Sequence, residues 1–157
     1  MVKFMETKKT FITKTREETL RYAQRLGELI ESPVTILMYG DLGAGKTTFT
    51  QGLAKGLGVT RNITSPTFTI LKIYKGRLPL YHIDAYRLEG LSQDLGFEEY
   101  LYESDGVTVV EWPMFVEDLL PEHAVKLNIT TNENGERVFT AEAAGRKEEK
   151  ILEDWLS

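Results

Sequence analysis

The sequence predicts an α/β fold: a central parallel sheet extended by antiparallel strands, with helices on both faces. Three observations point there. Val34-Thr35-Ile36-Leu37-Met38-Tyr39 is a continuous, β-branched apolar run, the pattern of a strand buried on both faces. A glycine-rich turn leads from that run directly into a helical segment. Asn134-Gly135 stands between two strand-like runs and marks a hairpin.

The elements follow in order. Lys9 to Lys14 is a short β-type run. Thr15-Arg16-Glu17-Glu18 fits a capping box, with Thr15 as N-cap and Glu18 reaching back. Leu20, Ala23, Leu26, Gly27 and Ile30 recur at helical spacing, so 16–31 reads as an amphipathic helix that Pro33 ends. After the apolar strand, a second helix runs from about Lys46 to Leu57, and Gly58 and Pro66 bracket a polar loop. Phe68 to Tyr74 and Arg77 to Ile83 read as strands joined at Lys75-Gly76. A short helix is expected over 92–102 and a short apolar strand over Val107 to Val110. Ala124 to Thr130 and Arg137 to Ala143 are the arms of the hairpin, and Arg146 to Leu156 is a C-terminal amphipathic helix.

At 157 residues the chain has the size of one domain, spanning 1–157. Its 41% hydrophobic and 27% charged residues are globular usage and argue against disorder. With 19 Lys+Arg against 24 Asp+Glu, the net charge is −5, which argues against stand-alone binding of DNA or RNA but leaves room for a local basic patch. The absence of cysteine excludes disulfides, thiolate metal sites and a Cys nucleophile. No apolar run is long enough to span a membrane, and the first residues lack a secretory apolar region. A soluble cytoplasmic protein with no membrane association is expected.

Gly40-Asp41-Leu42-Gly43-Ala44-Gly45-Lys46-Thr47 matches G-x-x-x-x-G-K-S/T at every fixed position. The small residues let successive backbone amides of Asp41, Leu42, Gly43, Ala44 and Gly45 turn inward around a phosphate. The helix that begins at Lys46 points its positive end at the same anion. Lys46 reaches the β- and γ-phosphates, and the Thr47 hydroxyl can ligate Mg²⁺. The bland alternative is an ordinary strand–turn–helix with a glycine-rich turn. The fixed positions coincide by chance in roughly half a percent of chains this long, and the strand before and helix after sharpen the match. The fold is therefore expected to be P-loop NTPase-like.

A GTPase would carry N-K-x-D and D-x-x-G motifs, which are absent. A small-molecule or nucleoside kinase would add an Arg-bearing lid, but Arg61, Arg77, Arg87 and Arg146 form no readable pattern. Thr64-Ser65-Pro66-Thr67-Phe68 follows the second helix, where a switch segment would sit. Asp84 and Glu111 each end a strand. Ligands of open α/β sheets bind beyond the carboxyl ends of parallel strands, so both are candidates for Mg²⁺ ligation or for positioning water. Each has a bland alternative: Asp84 as a helix N-cap or solvated turn residue, Glu111 as an edge charge, Thr67 as loop polarity. Trp112 reads as packing, His82 as structural, and Tyr86 and Arg87 as packing and a surface ion pair.

The Gly40–Thr48 loop, Ser65-Pro66-Thr67-Phe68, His82-Ile83-Asp84-Ala85-Tyr86-Arg87-Leu88 and Val110-Glu111-Trp112-Pro113 resemble the TsaE (YjeE) family in order and spacing. That family is the bacterial ATPase of tRNA threonylcarbamoyladenosine biosynthesis, and the similarity spans roughly 10–150. The resemblance implies an ATP hydrolase that supports two partners, TsaB and TsaD, with tRNA engaged only through the complex. It implies that Asp41 to Thr48 bind nucleotide, that Lys46 contacts the phosphates, and that Thr47 and Glu111 hold Mg²⁺. Asp84 is then the counterpart from the second acidic motif, Thr67 the switch residue sensing the γ-phosphate, and Trp112 a neighbour of the nucleotide. Ala85 is smaller than the resemblance leads one to expect there, a difference that touches packing only. Besides a partner-dependent ATPase, a kinase and a non-catalytic nucleotide-gated binding module share the loop. The acidic balance predicts weak or absent affinity of the isolated chain for tRNA; a sub-micromolar complex at physiological salt, measured by filter binding, would contradict it.

Overall fold

The computed structural model describes residues 7–40, 45–63, 71–88, 98–102 and 104–157, with backbone alone for 87, 88 and 98. Seven strands are described: β1 (Thr7–Thr13), β2 (Val34–Tyr39), β3 (Leu71–Tyr74), β4 (Leu80–Asp84), β5 (Val107–Glu111), β6 (Ala124–Thr131) and β7 (Arg137–Ala144). The helices are α1 (Arg16–Leu29), α2 (Lys46–Gly56), α3 (Glu98–Tyr102) and α4 (Arg146–Leu156), with 3-10 helices over Ala85–Leu88 and Pro113–Leu119. The strands form one sheet in the order β1-β7-β6-β2-β5-β4-β3. β6, β2, β5 and β4 are mutually parallel, while β1, β7 and β3 pair antiparallel at the flanks. The predicted architecture is the observed one.

Period-two alternation divides the sheet's side chains between two cores. Ile36, Met38, Val109, Val125 and Leu127 face one way and pack with Leu26, Phe49, Leu53, Leu152 and Trp155 from α1, α2 and α4. Leu37, Ile83 and Val110 face the other way, against Leu101 of α3 and Phe115 and Leu119 of the second 3-10 helix. Ala85 is fully buried in that second core.

The helix ends follow local chemistry, with two differences from expectation. Thr15 Oγ1 accepts from Glu18 N at 3.1 Å, but Glu18 reaches past the N-cap to Lys14 N at 2.5 Å. β4 begins at Leu80 rather than Arg77. Pro79 has no amide for the ladder, and Arg77 N is already bonded to Leu57 O at 2.7 Å. The Arg77 guanidinium instead donates to Ile30 O at 2.9 Å and Gly27 O at 2.8 Å, satisfying carbonyls at the end of α1. The first six residues of the helix expected over 92–102, the start of the strand expected from Phe68, and the Thr64–Phe68 segment lie outside the described residues.

α1 and α2 cross in backbone contact, which fixes where α2 points. A Cβ on Gly27 would lie 2.3 Å from Leu53 O, and one on Gly56 would lie 2.2 Å from Gln24 O. No side-chain rotation relieves a clash with backbone. Gly27→Ala is therefore expected to destabilise the fold by about 1–3 kcal/mol. Urea unfolding should show a lower midpoint with an unchanged slope.

Candidate functional site

β2 delivers the chain to Gly40, and α2 leaves from Gly45. Gly45 has φ 109 and ψ 14, a conformation that side chains with a Cβ resist, so the glycine before Lys46 is a backbone requirement. Helical bonding starts at once, with Phe49 N on Gly45 O at 2.9 Å. Gly45 has no side chain with which to cap α2, and the first amides of a helix are where an anion binds. Asp41, Leu42, Gly43, Ala44 and Thr67 lie outside the described residues.

Lys46 is buried at 6% exposure. Its Nζ donates to Gly40 O at 2.7 Å and sits 3.7 Å from the centre of the Trp112 ring. A buried ammonium needs such partners, here a carbonyl and a π-face. Trp112 has φ 57 and ψ 48, the one non-glycine with positive φ among the described residues. A residue before a proline favours extended backbone, so Pro113 does not relieve this conformation. For a bulky residue this left-handed turn costs ~1–3 kcal/mol, and such strain concentrates at functional sites. The Trp112 ring, expected to be packing, does pack on Tyr86 and Phe115 at 5.2 and 6.2 Å, but also lines the site.

Gly45, Lys46, Thr47 and Thr48 border a cavity of about 560 Å³. Asp84 and Glu111 line the same cavity, from register-paired positions at the carboxyl ends of β4 and β5. Asp84 also caps: its Oδ1 accepts from Tyr86 N at 3.0 Å, starting the first 3-10 helix. Glu111 is buried at 5% exposure, and its Oε2 lies 2.5 Å from Nε2 of the fully buried His82. The residue taken as structural thus touches a candidate acid. His82 and Asp84 lie two apart on β4 and share the face on which Glu111 stands.

Three cations that sequence reasoning passed over complete the cavity: Lys14, Arg16 and Arg137. Arg137 opens β7, pairs in register with Thr13, and brings its Nε to 4.0 Å from where a Gly45 Cβ would be. Its Nη1 donates to the Thr131 hydroxyl. Arg16 Nη2 donates to Gln51 Oε1 at 2.9 Å. The hairpin at Asn134-Gly135 was legible; that β6 runs parallel to β2, which brings the hairpin to this edge, was not. Thr15, the N-cap of α1, also lines the cavity. Arg146 does not: it lies with Pro33 and Gly106 in a separate cavity at the amino ends of the strands. Arg77 is engaged at α1, and Arg61 lies 5.6 Å from the centre of the Tyr74 ring.

Four basic and two acidic side chains thus line one cavity of an acidic protein. The cations and open amides suit a polyphosphate. The Thr47 hydroxyl and the two carboxylates are hard oxygen donors, the set Mg²⁺ takes alongside substrate oxygens and water. The described residues hold no cluster of three or more His, Cys, Asp and Glu that could hold a metal ion. Among the described residues no helix is long and apolar enough to cross a membrane.

Comparison with known proteins shows what this chain is similar to. The sequence model of the family described as threonylcarbamoyl adenosine biosynthesis protein TsaE matches residues 13–139. The tRNA threonylcarbamoyladenosine biosynthesis protein TsaE of Bacillus subtilis is 45% identical over 139 residues, covering 88% of this chain and 87% of that protein. Its counterpart from Treponema pallidum is 42% identical over 131 residues, covering 82% of this chain and 96% of that protein. The crystal structure of Bacillus subtilis YdiB superposes with a TM-score of 0.80 at 36% identity, over 98% of this chain and 97% of that one.

Because Lys46 rests on the Trp112 ring, a polyphosphate that draws the ammonium away changes the indole's surroundings. Adding ATP is expected to change tryptophan emission saturably in the wild type, with the change absent in Trp112→Phe and Lys46→Ala. An equal response in Trp112→Phe would assign it to Trp155 instead.

Proposed function

The chain belongs to the TsaE family, of tRNA threonylcarbamoyladenosine biosynthesis, and on that premise we propose that it is the Mg²⁺-dependent ATPase of that modification. The observation that supports this reading most is the convergence of Lys46, Thr47, Asp84 and Glu111 on one cavity beside the Gly45 turn. Hydrolysis of a phosphoanhydride asks little covalent chemistry of the protein; it asks for positioning and for charge complementary to the transferred phosphoryl group. The amides of Gly45 to Thr48, with those of Asp41 to Ala44, hold the polyphosphate at the positive end of α2. Lys46 exchanges Gly40 O and the Trp112 ring for phosphate oxygens. Arg137, beside Gly45, adds a second cation on the side away from the carboxylates.

Thr47 and Glu111 would hold Mg²⁺, which when bound neutralises charge on the phosphate oxygens. Asp84, fixed by its bond to Tyr86 N, stands beside Glu111 to orient water. Thr67 senses the γ-phosphate and makes the switch segment nucleotide-dependent. The partners are TsaD and TsaB, with tRNA engaged through that complex, and the setting is the cytoplasm. An acidic surface suits docking on proteins better than on a polyanion.

Steady-state ATP hydrolysis tests the reading, for wild type and Lys46→Ala, alone and with TsaB, TsaD and tRNA. The expected result is slow turnover alone, a rise with the partners, and a loss of ~10²-fold or more in the variant. No response to the partners would remove the partnership, and phosphorylation of a small acceptor would make the chain a kinase. A Glu111→Ala chain that lost hydrolysis yet supported modification in full would make it a nucleotide-gated module.

A further inference from the structure

His82 is fully buried, and its Nε2 is 2.5 Å from Glu111 Oε2. Its Nδ1 is buried with no hydrogen-bond partner among the described residues. That asymmetry decides how the pair is joined. A proton on Nδ1 would be a buried donor with nothing to accept it, a cost of ~1–3 kcal/mol. A proton on Nε2 is satisfied by the carboxylate. The network therefore assigns the Nε2–H form, donating to Glu111 Oε2. With Oε2 engaged, the carboxylate of Glu111 is held in one orientation at the cavity that it lines.

The frame around the pair is rigid. β4 and β5 run side by side with His82 opposite Val109 and Asp84 opposite Glu111. The strand residues about the imidazole on this face are Leu80 and Val109, both fully buried, with the partly buried Lys72 opposite His82 on β3 and Asp84 two residues along β4. Among the described residues His82 is the one hydrogen-bond partner of Glu111 Oε2. The geometry points to His82 as the positioning residue of the acidic site: one donated hydrogen bond, from a wholly buried ring, fixes the orientation of Glu111. Its role is to spare the carboxylate a reorganisation when a divalent cation and nucleotide arrive. This rests on the reading of the cavity as a Mg²⁺–nucleotide site.

The test separates His82 from that reading. Binding of a non-hydrolysable ATP analogue is measured by calorimetry with saturating Mg²⁺ and with a chelator, for wild type, His82→Leu and His82→Gln. The wild type should bind more tightly with Mg²⁺. His82→Leu, an apolar replacement without the donor, should lose ~10-fold of that gain, with affinity in chelator unchanged. His82→Gln, whose amide can donate from about the Nε2 position, should recover most of it. In the Glu111→Ala background, His82→Leu should remove nothing further. ATP turnover should follow as a fall in kcat larger than any change in KM.

A purely structural histidine would lower the thermal midpoint of His82→Leu and leave its Mg²⁺-linked gain at the wild-type value, which overturns the proposal. A His82→Gln chain no better than His82→Leu overturns it equally. Absence of any Mg²⁺-linked gain in the wild type would instead overturn the site reading itself, and this proposal with it.

Discussion

The parallel pairing of β2 with both β5 and β6 is the constraint on which the site depends. Parallel strands place their carboxyl ends on one edge of the sheet. The end of β2 opens the glycine-rich loop, the end of β5 presents Glu111, and the end of β6 reaches the hairpin before Arg137. β4, parallel to β5, sets Asp84 level with Glu111. The antiparallel returns through β7 and β1 then bring Arg137 and Lys14 back to the same edge. A register slip of one residue anywhere along β4 or β5 would turn a carboxylate to the opposite face.

That edge is also where the protein carries its least favourable local arrangements. Lys46 and Glu111 are buried charges, and Trp112 holds a left-handed backbone. The two charges are supported by what surrounds them: a carbonyl and an indole for the ammonium, an imidazole for the carboxylate. The α1–α2 contact through Gly27 and Gly56 anchors the helix whose amino end faces the cavity. Stability concentrated in the helix crossing and the two cores thus sustains an edge that is organised before a ligand arrives, which is what positioning catalysis asks of a scaffold.

Much of this was legible in the residues. β2 was bounded to the residue because both of its faces are buried and its ends are a proline and a glycine. The Thr15 cap and the hairpin arms were readable for local reasons as well. Asp84 and Glu111 were found because strand ends in parallel sheets are informative places. Arg137, Arg16 and Lys14 were not, since their place depends on strand order, a property that no local pattern encodes. His82 was read as structural because only metal-ligand spacing was asked of it. The relevant relation was across strands: a residue two before Asp84 shares the face of Glu111. Arg77 was placed in a strand because nothing in its surroundings announces that it caps a helix far back in the chain.

A crystal structure with Mg²⁺ and a non-hydrolysable ATP analogue tests the central claim most directly. The account predicts phosphates on the amides of Gly45 to Thr48. It predicts Lys46 moved from the Trp112 ring onto a phosphate oxygen, and the metal between Thr47 and the carboxylate of Glu111. A nucleotide seated elsewhere, such as the cavity beside Arg146 at the opposite edge of the sheet, would contradict it. So would phosphates at the loop with Lys46 still on the indole.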